Sequence, residues 1–205
     1  MPPSPPQPLN EPTHQNAPGP VRLVVVGPGL EARVGRPDAP AAQAARLLAR
    51  ALSLPHRHLG DPWSPHGPLG ELGAAEGGWL ASLPLDPGHP LADGGTWAEA
   101  LGAWRQPTLL TIAAPQLASG AAASSLALLK QWRVPVVGLL QWGGAWNNDH
   151  RRRDGLPWLG HLGESPTQPR ENDGEGEAEA ESVAALLWRR WRLLDHPDPP
   201  SGPRA

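Results

Sequence analysis

Cysteine is absent from this chain of 205 residues, as are phenylalanine and tyrosine, and methionine occurs once. Without cysteine there is no disulfide framework, no Cys-ligated zinc or iron–sulfur centre and no thiol nucleophile. Lysine is also nearly missing: Lys130 stands alone. Any lysine phosphate clamp, Schiff base or lysine general base would therefore have to be that one side chain. Charged residues make up 18 % of the chain with a net charge of −3, below the globular norm of about 25 %. No apolar run reaches the roughly 18 residues of a membrane span. The N-terminus lacks the basic start and apolar stretch of a signal peptide, so a soluble cytoplasmic protein is expected.

Proline and glycine are abundant instead, at 28 and 24 residues, about a quarter of the chain. A load of this size marks part of the chain as unfolded. Residues 1–20 hold eight prolines and almost no large apolar side chain. They cannot bury enough surface to offset ordering entropy and read as a disordered or polyproline-like arm. Order is expected from Val21, where Val21-Arg22-Leu23-Val24-Val25-Val26 forms a strand buried on both faces and closed by Gly27-Pro28-Gly29. Residues 41–54 carry Ala, Leu and Arg at helical spacing. Residues 55–90 are rich in Pro, Gly and His, with 80–83 the best candidate for a strand.

The next stretch predicts a helix over 97–104, a strand over 108–112, a helix over 119–132 and a strand over 134–140. Strand, helix, strand with short connections is a βαβ unit, which requires a parallel pair and a right-handed crossover. The fold class expected is α/β, a mostly parallel sheet flanked by helices, with disordered termini. Its domain spans 21–163, followed by an acidic linker over 164–181, an amphipathic helix over 182–195 and a tail over 196–205. The acids before that helix and the arginines at its end suit the helix macrodipole. The helix either docks on the sheet or binds a partner or a membrane surface.

Several constellations carry possible chemistry. Gly29 to Pro37 lies between a buried strand and a helix, where a phosphate loop would stand. Such a loop uses backbone N–H groups, a Lys ammonium and a Ser or Thr hydroxyl on magnesium. Here Arg36 stands at the cation position and Pro37 at the hydroxyl position, and a plain strand-to-helix turn is the alternative. Ser64 and His66 lie two apart in a Pro-rich loop, either a hydroxyl and imidazole working together or polar decoration of a rigid turn. Glu76 precedes Gly77-Gly78 and is either a magnesium carboxylate or a solvated turn residue. The histidines are too scattered to argue for zinc. Arg151-Arg152-Arg153 sits in a net acidic chain and does not argue for nucleic acid.

In order and spacing, residues 21–163 resemble dethiobiotin synthetase, a P-loop family that closes the ureido ring ahead of biotin. Val34-Gly35-Arg36-Pro37 stands where the family has Val-Gly-Lys-Thr. Pro62-Trp63-Ser64-Pro65-His66 resembles its Pro-x-Ser-Pro-His, and Glu76-Gly77-Gly78-Trp79 is near its Glu-Gly-Ala-Gly-Gly. Leu156-Pro157-Trp158-Leu159-Gly160 is similar to its late Pro-Leu-Leu-Gly turn. The resemblance implies a P-loop nucleotide-hydrolase-like fold, ATP and Mg2+ as cofactors, a diamine substrate and a homodimer, without nucleic acid or a membrane span. It implies Gly29, Gly35 and Arg36 at the phosphates, with Arg36 catalytic, Glu76 at the metal, and Ser64 and His66 at the substrate. The departures fall on the chemistry. The phosphate-loop Lys and Thr are replaced, the family's second active-site Lys has no counterpart, and its adenine-reading Asn falls at Trp142. Two expectations follow: an ATP-dependent ring-closing enzyme with impaired chemistry, or a catalytically inactive pseudoenzyme or interaction module on the same fold.

Overall fold

The computed structural model describes residues 19–29, 39–59, 61, 63–83, 85–163 and 173–194, with side chains in the last segment from Gly176 onward. The expected arm up to residue 18, the loop holding Gly35 and Arg36, and the tail from residue 195 lie outside the described residues.

Six strands form one parallel sheet: β1 (Arg22–Val26), β2 (His56–His58), β3 (Trp79–Ser82), β4 (Thr108–Ala113), β5 (Val136–Trp142) and β6 (Trp158–Leu162). Their order is β2-β3-β1-β4-β5-β6, with every adjacent pair parallel. The helices are α1 (Pro40–Ala51), α2 (His66–Ala74), α3 (Trp97–Ala103), α4 (Ala121–Gln131), α5 (Asn148–Arg153) and α6 (Asp173–Trp191), with a 3₁₀ turn over Ala114–Ser119 before α4.

Side-chain alternation along the strands divides the core in two. Val24, Val26, Ala81, Leu110 and Ile112 pack with α2, α3 and α4 on one face. Leu23, Val25, Leu80, Leu109 and Leu140 pack with α1 and α6 on the other. The result is an α/β/α sandwich, because a parallel sheet needs apolar cover on both faces. Helix placement follows the right-handed crossover rule. The chain moves one way from β1 to β2 with α1 on one face, and the other way from β4 to β5 with α4 on the opposite face.

Several elements differ from the sequence reading. β2 is a His-Arg-His edge strand, held by pairing His56 with Leu80 and His58 with Ser82 rather than by its own propensity. α2 forms despite three glycines and a proline because Pro68, Leu69 and Leu72 are buried and Gly70 and Gly73 leave room for the Trp104 ring. Leu156 to Gly160 is not a turn: its second half belongs to β6. The acidic segment is helical from Asp173, so α6 begins well before residue 182. That helix docks on the sheet through Ala180, Val183, Ala184, Leu187 and Trp191. Trp191 Nε1 donates to Gly19 O at 3.1 Å and Arg190 Nη1 to Pro157 O at 3.0 Å.

The approach of α3 to the end of α4 supplies a test. A Cβ at Gly102 would collide with the Trp132 carbonyl oxygen, so Gly102→Ala must push backbone apart. A loss of about 1–3 kcal/mol is expected, a fall of several degrees for a domain of this size. An unchanged melting temperature would show that the two helices do not meet this closely.

Candidate functional site at the carboxyl edge of the sheet

The connections leaving β1 and β4 run in opposite directions, since β1 leads toward β2 and β4 toward β5. Adjacent strands with diverging connections open a crevice outside their carboxyl ends, the usual ligand position in an open α/β sheet. The loop after β1 enters this crevice at Gly27, whose missing side chain is required: a Cβ there would stand 3.0 Å from Thr111 O and 3.6 Å from Ala41 Cβ.

Side chains from two neighbouring loops hold the β1 loop in place. Gln116, in the 3₁₀ turn after β4, donates through Nε2 to Pro28 O, while its Oε1 accepts from Ala113 N at 3.0 Å. Asp86, after β3, accepts from Gly29 N at 3.0 Å through Oδ2 and from Gly88 N at 2.7 Å through Oδ1. Below the crevice, the buried Thr111 hydroxyl has no hydrogen-bond partner among the described residues. An unmatched buried hydroxyl costs about 1–3 kcal/mol.

Of the residues singled out from the sequence, Gly29 is at this crevice, and Gly35 and Arg36 lie outside the described residues. Glu76 is not with Gly29. It is exposed and precedes β3, so it lies at the amino edge, where Arg22 Nε reaches Gly77 O at 3.0 Å. The four residues of β3 put about 13 Å between the two edges. Ser64 is exposed before α2. His66 is the first residue of α2, and its Nδ1 accepts from Trp104 Nε1 at 3.1 Å, which ties the ring to the packing of α2 against α3. Lys130 is exposed in the last turn of α4, where that helix has returned to the amino edge. Sequence reasoning missed Asp86, Gln116 and Thr111. Asp86-Pro87-Gly88 directly beyond a strand carried a turn signal, whereas nothing local marks the other two.

Further along the same edge, buried Gln141 organises the turn after β5. Its Nε2 donates to Gly143 O at 2.8 Å and Ala145 O at 3.2 Å, and its Oε1 accepts from Arg151 Nε at 3.2 Å. Arg151 lies 4.8 Å above the Trp158 ring, and Trp146 stacks on His161 at 5.4 Å. The first arginine of the basic cluster is therefore committed internally.

At the other margin, His56 Nε2 lies 3.4 Å from Ser82 Oγ, and its ring stands edge-on to His58 at 4.8 Å. Burial, then the nearby His58 and Arg46 charges, lower the His56 pKa from the ordinary value. Comparison with protein-family models and with curated proteins finds no match to this chain. Among the described residues, no helix is long and apolar enough to cross a membrane.

The lowered His56 pKa makes stability depend on pH. Below the ordinary histidine value of about 6.5 the unfolded chain binds a proton that the folded ring resists, so stability is lost as pH falls through that value. Melting temperatures across this range should decline on acidification, and His56→Gln should flatten the decline. An equally steep profile in the variant would assign the loss to other groups.

Proposed function

We propose that this chain binds ATP with magnesium at the crevice between β1 and β4, on a fold resembling that of dethiobiotin synthetase, and that it has lost most of the ring-closing rate. The observation that carries the reading is the Asp86 carboxylate holding the Gly29 N–H beside the β1 loop. An acidic residue at the end of the strand next to the phosphate loop is the usual magnesium partner in P-loop proteins. Asp86 takes in this reading the place that the sequence suggested for Glu76. Each of its oxygens accepts one N–H and keeps lone pairs for a further contact.

Asp86 offers the kind of donor that magnesium takes beside phosphates, where the ion is ordinarily held by one or two carboxylates, the phosphates and water. Gly29, Gly35 and Arg36 would contact the phosphates, with Arg36 at the position of the family's lysine. Bound ATP supplies the phosphoryl group that activates a carbamate for attack by the second amine of the diamine.

The same set fits catalysis poorly. Lys130 is at the wrong edge of the sheet, and Pro37 offers no hydroxyl. Removing one preorganised electrostatic group costs about 3 kcal/mol of barrier, and two lysines and a hydroxyl are missing relative to the family. His66, given to Trp104, is held away from the substrate role, which leaves Ser64 as the polar group of that segment. The alternative, an inactive module on the same fold, is favoured by the position of Lys130.

Thermal shift with magnesium-ATP is the test. At one hundred times the dissociation constant, binding should stabilise by about 2.7 kcal/mol, and Asp86→Asn should remove the magnesium-dependent part. No shift at millimolar nucleotide would overturn the reading in favour of the inactive module.

A further inference from the structure

We propose that His56 and His58, on the edge strand β2, form an open site for a nitrogen-preferring divalent cation, Zn2+ or Cu2+, with Ser82 as its supporting group. The proposal is independent of the nucleotide reading. β2 lies two strand positions from β1, about 10 Å, and the site uses neither Asp86 nor the β1 loop. Residues two apart on a strand project to the same face. Here that is the face on which Leu80 packs with α1, because His56 is in register with Leu80 and His58 with Ser82. This pairing, with the hydrogen bond from Leu80 N to Pro55 O at 3.1 Å, fixes the backbone that carries both rings.

The two imidazoles stand at a chelating separation. Their centroids are 4.8 Å apart and their planes cross at 79°. Same-face positions repeat about every 6.8 Å along a strand, so the rings lean toward each other. A metal about 2.05 Å from an imidazole nitrogen lies about 3.2 Å from the ring centroid, which puts two rings at roughly 90–109° around one ion about 4.5–5.2 Å apart. The observed separation falls inside that range.

Ser82 prepares His56 for this role. Its Oγ, in a buried residue, lies 3.4 Å from His56 Nε2. When Nε2–H donates to that oxygen, the lone pair resides on Nδ1, and metal-binding imidazoles ordinarily have their second nitrogen held in this way. His56 is half-buried and His58 exposed, so an ion reaches the pair from solvent. The Arg46 guanidinium is near enough for its charge to act on His56. That charge disfavours magnesium and calcium, which bind to oxygen largely through charge, and leaves the ions that imidazole itself selects, zinc and copper. Among the described residues no third imidazole or carboxylate joins the pair. The site is therefore one of two protein nitrogens with its other positions open to water or an anion, unlike a closed four-ligand structural site.

Calorimetric titration of the full, chelator-stripped chain with Zn2+ reads the outcome. The expected result is binding that His58→Gln and, independently, His56→Gln weaken by roughly tenfold or more, and that Ser82→Ala weakens by roughly tenfold. An unchanged circular dichroism spectrum confirms that each variant folds. Paramagnetic resonance of the Cu2+-loaded chain should show two nitrogens coupled to the ion, and one in His58→Gln. Asp86→Asn should leave Zn2+ binding as it is, which separates this site from the nucleotide crevice. Absence of Zn2+ binding overturns the proposal. So does binding indifferent to both histidine substitutions, which would assign the ion to other histidines, and so does binding lost in Asp86→Asn.

Discussion

The carboxylate of Asp86 ties together the two loops on which the candidate site depends. It accepts one N–H from the loop after β1 and one from its own loop after β3. These hydrogen bonds tie Gly29 to the loop after β3. Gln116 acts from the opposite side by donating to Pro28 O. Between them these two side chains set where the backbone of residues 27–29 lies, and hence what a ligand in the crevice would meet. The packing below leaves little latitude, since Gly27 has room for no side chain against β4 and α1.

Much of this fold was legible because the central strands are apolar on both faces. The Val-rich β1, the β4–α4–β5 unit and the Ala-rich α1 each carry a local pattern that agrees with their final environment. The missed elements lack such a pattern. β2 is three residues long and polar, and it is a strand only because β3 is beside it. α2 has weak intrinsic helicity and exists because three of its residues are buried and its glycines accommodate Trp104. β6 contains Gly160 with φ of 151°, and its segment reads as a turn through its resemblance to the family's Pro-Leu-Leu-Gly.

The site was less legible than the fold for a topological reason. In a parallel sheet, whether a residue precedes or follows a strand decides which edge it occupies, and the edges are a strand length apart. Glu76 precedes β3 and Asp86 follows it, so a shift of ten positions along the chain exchanges a solvated turn residue for a carboxylate at the crevice. His66 shows the complementary case: an imidazole that looked chemical in sequence is the acceptor that seats Trp104 between two helices. The acidic first half of α6 likewise reads as a linker by composition, yet it is helical because the residues after it are anchored to the sheet.

Hydrogen–deuterium exchange with and without magnesium-ATP tests the central claim most directly, because it reports position as well as binding. The account predicts slowed exchange at the amides of Gly27, Gly29, Asp86, Gly88, His89, 111–114 and Gln116, with the amino-edge segment 73–78 unchanged. Protection confined to the amino edge, or none at the carboxyl edge under conditions where nucleotide binds, would contradict it.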